Sequence, residues 1–293
     1  MRRSHSGRRL ADTLRALQPA RLAIVAHSMG GLVSRAALAL ADTAHVERLV
    51  LLGTPNCGSF AAVQALRGTY AVVRKVAQLA LQATAESLAS EVFSSFPSLY
   101  ELLPSGAICD SGLDLFDAGT WPAGGPRPQP ALLQAARGLQ QQLAPPDARL
   151  AIIAGAGQET VTALRRRGAE FLYTITRSGD GTVPLESAVL PGVSTFYARV
   201  AHSNLTRDAV VGAAVVDLLR AGRTRRLPAR WQSAARARTQ VSDAELRRMH
   251  AAKVDWSALT PQERRLFLEN LNEPPHLRLR VAGRTRGSRA QGS

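Results

Sequence analysis

RLAIVAHSMGGLVSRAALALA, residues 21–41, decides how the rest of the chain is read. Its first part, RLAIVA (21–26), is a continuous apolar run between polar residues, the pattern of a strand buried on both faces of a parallel sheet. Its last part, GLVSRAALALA (31–41), spaces Leu32, Ala36 and Leu40 along one face of a helix. Between them AHSMGG (26–31) places Ser28 at a strand-to-helix turn with Ala26 and Gly30 two residues away on either side. Such a turn needs small neighbours, because the backbone approaches itself there. It exposes the hydroxyl and sets it at a helix N-terminus, where backbone N–H groups, that of Met29 first, face a developing oxyanion.

The surrounding segments extend this unit. VERLVLLGT (46–54) is strand-like and ends in the turn-prone TPNCGS, so strand, helix and strand follow one another with short connections, as in a parallel sheet. Residues 8–19 space Leu10, Leu14 and Leu17 for a short amphipathic helix ahead of it. Residues 58–103 read as helical and apolar, and DAGTWPAGGPRPQP (117–130) as a loop. RLAIIAGAG (149–157), FLYTITR (171–177) and TFYARV (195–200) are further strands, and residues 206–220 an apolar helix. SDAE (242–245) and TPQE (260–263) each pair an N-cap with a Glu three residues on, which predicts two short helices near the end. VAGRTRGSRAQGS (281–293) reads as a disordered end.

A serine is a poor nucleophile at neutral pH and needs a base held by an acid. Asp180, between two glycines in GDGTVP (179–184), follows one strand, and His202 follows another and precedes a helix. The order serine, acid, histidine is that of the strand–turn–helix hydrolases. An Asp in an Asp-Gly turn is by itself ordinary turn chemistry. His27 lies inside the serine turn and His45 at a helix end, while His5, His250 and His276 lie in the termini, so His202 is the candidate base.

AHSMGGLVSR, LLGTPNCGS, FPSLYELLP (96–104), GDGTVP and AHSNL (201–205) occur in the order found in the lecithin:cholesterol acyltransferase-like branch of the α/β-hydrolases. The chain resembles that branch from about residue 10 to about residue 220. The resemblance implies an α/β-hydrolase fold, a mostly parallel sheet flanked by helices, and a lipase or esterase acting on acyl or lipid esters. Its nucleophile would be Ser28, its triad completed by Asp180 and His202, with Met29 an oxyanion donor. An acyltransferase or thioesterase would use the same covalent step. FPSLYELLP would belong to a helical cap, residues 58–145, inserted in a hydrolase domain spanning 1–220. Helical core is an equally economical reading of those apolar residues.

Relatives of this kind carry strands ahead of the serine strand, and a loop there supplies a second oxyanion N–H. With about twenty residues before RLAIVA, the fold is expected to be N-terminally shortened. Loss of one such donor costs roughly a hundredfold to a thousandfold in rate. A shortened hydrolase serving as a binding scaffold is therefore a third reading.

Composition narrows the classes. Hydrophobic residues at 45% and charged residues at 20% argue against wholesale disorder. Two cysteines, Cys57 and Cys109, make neither a disulfide framework nor a metal site, and GAG (155–157) is too short for a dinucleotide fingerprint, so no cofactor is implied. No leader or membrane span is legible, which predicts a cytoplasmic protein. From Arg220 onward there are 17 Lys+Arg against 6 Asp+Glu, so residues 221–293 form a basic extension carrying most of the net +15. That extension predicts weak contact with an anionic surface and no specific nucleic acid. Its plain alternative is an arginine-rich composition colouring every surface. Oligomeric state is not legible.

Overall fold

The computed structural model describes residues 5–17, 21–40, 43–79, 82–105, 112–232, 239–248 and 256–269. The chain opens with α1 (His5–Ala16), β1 (Leu22–His27), α2 (Met29–Leu38) and β2 (Val46–Leu52). A helical region follows with α3 (Phe60–Leu66), α4 (Ala71–Leu79), α5 (Ala85–Ser87), α6 (Pro97–Glu101) and α7 (Pro130–Ala136). Then come β3 (Leu150–Gly155), β4 (Thr160–Arg167), β5 (Glu170–Thr176), α8 (Leu185–Ala188), β6 (Ser194–Ala198) and α9 (Ala209–Ala221). β7 (Thr239–Ser242), α10 (Asp243–Arg248) and α11 (Pro261–Glu269) end the described chain.

Four strands pair in parallel in the order β1-β2-β3-β6. β3 is buried at every position, as expected for a strand covered on both faces. Alternate residues go to opposite sides. Leu49, Leu51, Ile152 and Ala154 pack with α1 and α2 through Leu14, Ala37 and Leu38. Val50, Leu52, Ile153 and Phe196 pack with α9 through Val211, Ala214 and Leu218.

β1 departs from the expectation of burial on both faces. Leu22, Ile24 and Ala26 meet the α1–α2 layer, but Val25 on the other face is 46% exposed. The reason is positional. Among the described residues β1 is an edge strand, and α9 packs over β2 rather than over β1.

FLYTITR is a strand, but it lies outside the parallel sheet. It forms β5, paired antiparallel with β4 on one side and β7 on the other. This second sheet shares a core with the helical region, where Phe171, Tyr173 and Val241 meet Phe60, Tyr100, Trp121 and Leu133. The helical region is thus held to the body by the β3–β6 connection and by Val241 and Leu246 near the end of the described chain.

The key to that attachment is a buried ion pair. Arg67 and Asp243 are both fully buried. Asp243 accepts from Arg67 Nε and Nη2 at 3.1 and 2.7 Å, from Tyr173 Oη at 2.8 Å and from the Phe171 N–H at 3.1 Å. The other Arg67 N–H groups reach the carbonyls of Pro122, Gly124 and Pro126, so all five donors are used. Burial, with the Asp243 charge next, holds the Tyr173 phenol well above its usual range. Asp243→Ala leaves a buried guanidinium with no counter-charge. We expect a loss of about 3–5 kcal/mol in urea unfolding, against a loss under about 1 kcal/mol if this segment is not docked.

Both capping signals are present. Ser242 and Glu245 exchange backbone-to-side-chain bonds at 2.7 and 3.3 Å at the start of α10, and Thr260 and Glu263 at 2.8 and 3.3 Å at the start of α11. The predicted disordered end, Cys109, His250 and His276 lie outside the described residues. No helix among the described residues is long and apolar enough to cross a membrane.

Candidate active site

Ser28 stands between β1 and α2 with φ 56° and ψ −131°, the only positive φ at a non-glycine among the described residues. A side chain in this region costs on the order of 1–3 kcal/mol and persists where surrounding structure over-determines it. Here the Ser28 N–H bonds the Leu52 carbonyl at 2.9 Å, extending the sheet ladder, and the Gly31 N–H bonds the Ser28 carbonyl at 3.0 Å. As the first residue of α2, Met29 has no intrahelical acceptor for its N–H, which lies at the positive end of the helix, next in the chain to Ser28.

The sequence pointed to Ala26 and Gly30 as the positions that must be small. The tight one is instead Gly31, where a Cβ would fall 2.1 Å from Thr54 Oγ1, whereas at Gly30 it would meet Ala26 at 3.9 Å. The turn needs room against the loop after β2 more than against its own strand.

Residues far apart in sequence converge on Ser28. Its Oγ lies 2.9 Å from His202 Nε2, and His202 Nδ1 lies 2.8 Å from Asp180 Oδ2. The other carboxylate oxygen of Asp180 accepts from the Thr182 and Val183 N–H groups at 3.0 and 2.7 Å. Asp180 is 1% exposed and the His202 side chain 13%, so the acid is dry and the base sits at the mouth. The backbone is tied as well, since the His202 N–H bonds the Asp180 carbonyl at 2.9 Å. Ser28 and His202 follow the C-terminal ends of β1 and β6, and Gly53 and Gly155 stand at the same ends of β2 and β3. Asp180 arrives differently from the sequence expectation, after a strand of the antiparallel sheet, and its loop folds back to the parallel one.

A serine hydroxyl on a strained strand-to-helix turn, bonded to a histidine whose far nitrogen bonds a buried carboxylate, at the ends of parallel strands, decides the architecture. It is an α/β-hydrolase fold. Residues 12–95, from α1 through the serine turn into the helical region, match a family model described as PGAP1-like alpha/beta domain. No curated protein sequence matches the chain. Among solved structures it is similar to the Bacillus licheniformis lipase BlEst2 in propeptide form, at 18% identity and TM-score 0.37 over 67% of this chain and 36% of that one. The mature form of that lipase gives 17% identity and TM-score 0.37 over 67% and 66%. The Tle4–Tli4 complex gives 18% identity and TM-score 0.32 over 64% and 56%. The chain therefore spans less than two thirds of the length of each of these structures.

Several residues of the hydrolase site carried no signal in the sequence. Burial, then the neighbouring His202, lowers the His27 pKa, so its ring is held towards the neutral form. It lies 4.8 Å from the His202 ring, and its Nε2 is 3.0 Å from the His202 carbonyl. Ser59 donates to the Thr182 carbonyl, joining the start of the helical region to the acid loop. Gly53 and Gly155 form the back wall, where a Cβ at Gly53 would lie 3.1 Å from both Asp180 Oδ2 and His202 Nδ1.

At Gly155 a Cβ would come within 2.6 Å of Asp180 Cβ and 2.7 Å of the Val200 carbonyl. Gly155→Ala must therefore push the acid loop away from its neighbours. A displacement near 1 Å at a reacting centre costs about a hundredfold. We expect a drop of that order in kcat with the fold retained by circular dichroism. An unchanged kcat contradicts the packing described.

Ser28 also borders an apolar cavity of about 220 Å³, walled by Ala62, Ala65, Val73, Phe93, Leu99 and Tyr70. Most of its lining comes from the helical region, which the resemblance assigns to a cap.

Proposed function

We propose that the protein hydrolyses carboxylic esters through an acyl-enzyme on Ser28, within the lecithin:cholesterol acyltransferase-like branch of lipases and esterases. The observation that carries this reading is the continuous hydrogen-bond chain from Ser28 Oγ through His202 to Asp180, at 2.9 and 2.8 Å. The apolar cavity beside the hydroxyl supports an acyl group as the part of the substrate held there.

Ser28 Oγ attacks the ester carbonyl while His202 Nε2 takes its proton, and Asp180 stabilises the imidazolium through Nδ1–H. The carbonyl oxygen becomes an oxyanion within reach of the Met29 N–H. Its collapse expels the alcohol, which takes the proton from His202. Water then attacks the acyl-enzyme, giving its proton to His202, and the free acid leaves as Ser28 regains its hydrogen. Acyl transfer differs only in that an alcohol replaces this water.

The test is turnover of graded alkyl and p-nitrophenyl esters by wild type and Ser28→Ala, with products analysed in the presence of added alcohol. Ser28-dependent release of free acid is the expected result. Transfer of most of the acyl group to alcohol at low acceptor concentration redirects the reading to an acyltransferase. Equal turnover by both proteins removes it.

A further inference from the structure

A second cleft opens along the helix that follows the nucleophile. It has a volume of about 190 Å³ and lies between α2 and the helical region, with Leu32, Val33 and Leu40 on one wall and Leu139 and Leu143 on the other. Met29, the residue after Ser28, is at one end. At 1.5 Å per residue, the stretch from Met29 to Leu40 makes the cleft about 16 Å long, an elongated slot. Leu102 lines both this cleft and the cavity that Ser28 borders, so the two apolar compartments share that side chain, and Met29 ties the cleft to the serine turn.

Next to that partition Glu101 lines the cleft, half-buried, with no hydrogen bond or ion pair to a described residue. Burial raises its pKa from the usual carboxylate value. An ionised carboxylate has only acceptor capacity, and leaving it desolvated without a donor costs free energy. The rest of the lining is mostly apolar, and its Gln140 donates to the Leu103 carbonyl rather than to Glu101.

An ester has two arms, and the site has two compartments. Building on the ester-hydrolase reading, we propose that the cleft takes the alcohol arm of the substrate, an apolar chain carrying a hydrogen-bond donor, hydroxyl or ammonium, that Glu101 receives. The acyl arm then occupies the cavity walled by Ala62 and Phe93, and the ester carbonyl lies at the junction beside Ser28.

Calorimetric titration of the intact protein with methyl octyl ether, 1-octanol and octylammonium tests the cleft without relying on catalysis. Wild type is expected to bind a donor-bearing probe about tenfold more tightly than the ether, which has no donor, and Glu101→Gln to lose that advantage where the donor is ammonium. The alcohol and the amine show which donor is read. Val33→Trp, which fills the slot, is expected to weaken every probe about tenfold, and Val33→Gln, of nearly unchanged volume, to do the same if the bulkier variant does not fold. The kcat/KM ratio of octyl to methyl hexanoate is expected to fall about tenfold in the same variants. Binding that ignores both Val33 substitutions, an ammonium preference that survives Glu101→Gln, or an unchanged ester ratio overturns the proposal. Absence of Ser28-dependent turnover of any ester removes the hydrolase reading instead, and the titration still reports on the cleft.

Discussion

Ser28→Ala is expected to lower the proposed ester turnover by on the order of a millionfold, and His202→Ala by about as much, while the double variant is expected to be scarcely worse than either. The non-additivity is the informative part. The two side chains are joined by a single 2.9 Å contact, and each is useless in the first step without the other. With Ser28 removed there is no oxygen for His202 to deprotonate. With His202 removed the hydroxyl keeps its proton at neutral pH. Under the proposed mechanism, what survives is the contribution of the Met29 N–H and of substrate binding, which either variant retains. Steady-state rates of the three variants, with melting temperatures as a control on folding, check this. Losses that multiply in the double variant contradict a shared step.

Asp180→Asn is expected to reduce kcat by about ten-thousandfold with the structure intact. The geometry states why. The Thr182 and Val183 N–H groups both point at Oδ1 and need an acceptor, so the amide oxygen of Asn takes that position. The amide NH₂ is then left in place of Oδ2, 2.8 Å from His202 Nδ1. A donor there turns Nδ1 into the acceptor and moves the ring proton to Nε2, so the ring offers a hydrogen to Ser28 instead of a lone pair. The variant keeps its hydrogen-bond count and loses the tautomer. The kcat of Asp180→Asn against wild type at pH 8, with circular dichroism alongside, measures it. A loss below about tenfold would mean that the carboxylate does not set the tautomer of His202.

Legibility in the sequence followed range. The strand, turn and helix at 22–38 are contiguous, so apolar period and small residues sufficed to read them. Ser28, Asp180 and His202 were singled out by chain order and by their positions after strands, and the structure brings all three together. Both terminal helices announced themselves through Ser242–Glu245 and Thr260–Glu263, again local signals.

What failed was long-range. The run FLYTITR is apolar enough for either kind of sheet, and nothing within it says that its neighbours are Thr160–Arg167 and Thr239–Ser242. β7 is four residues long inside a stretch that reads as basic extension. Asp243 looked like part of a capping signal, and only the fold shows it neutralising Arg67 176 residues away. Gly155 stood in a GAG too short for a nucleotide motif and carried no other signal, and its reason lies with Asp180 across the site. β1 read as doubly covered because an edge strand and a central one share composition when one face packs well.

The most direct test is intact-mass analysis after exposure of the purified protein to a fluorophosphonate, with Ser28→Ala and His202→Ala treated in parallel. A single phosphonyl adduct on Ser28 in the wild type, absent from the first variant and slowed by orders of magnitude in the second, is the result predicted here. A folded wild type that stays unmodified, or one that reacts at the same rate without His202, contradicts an activated serine at the end of β1.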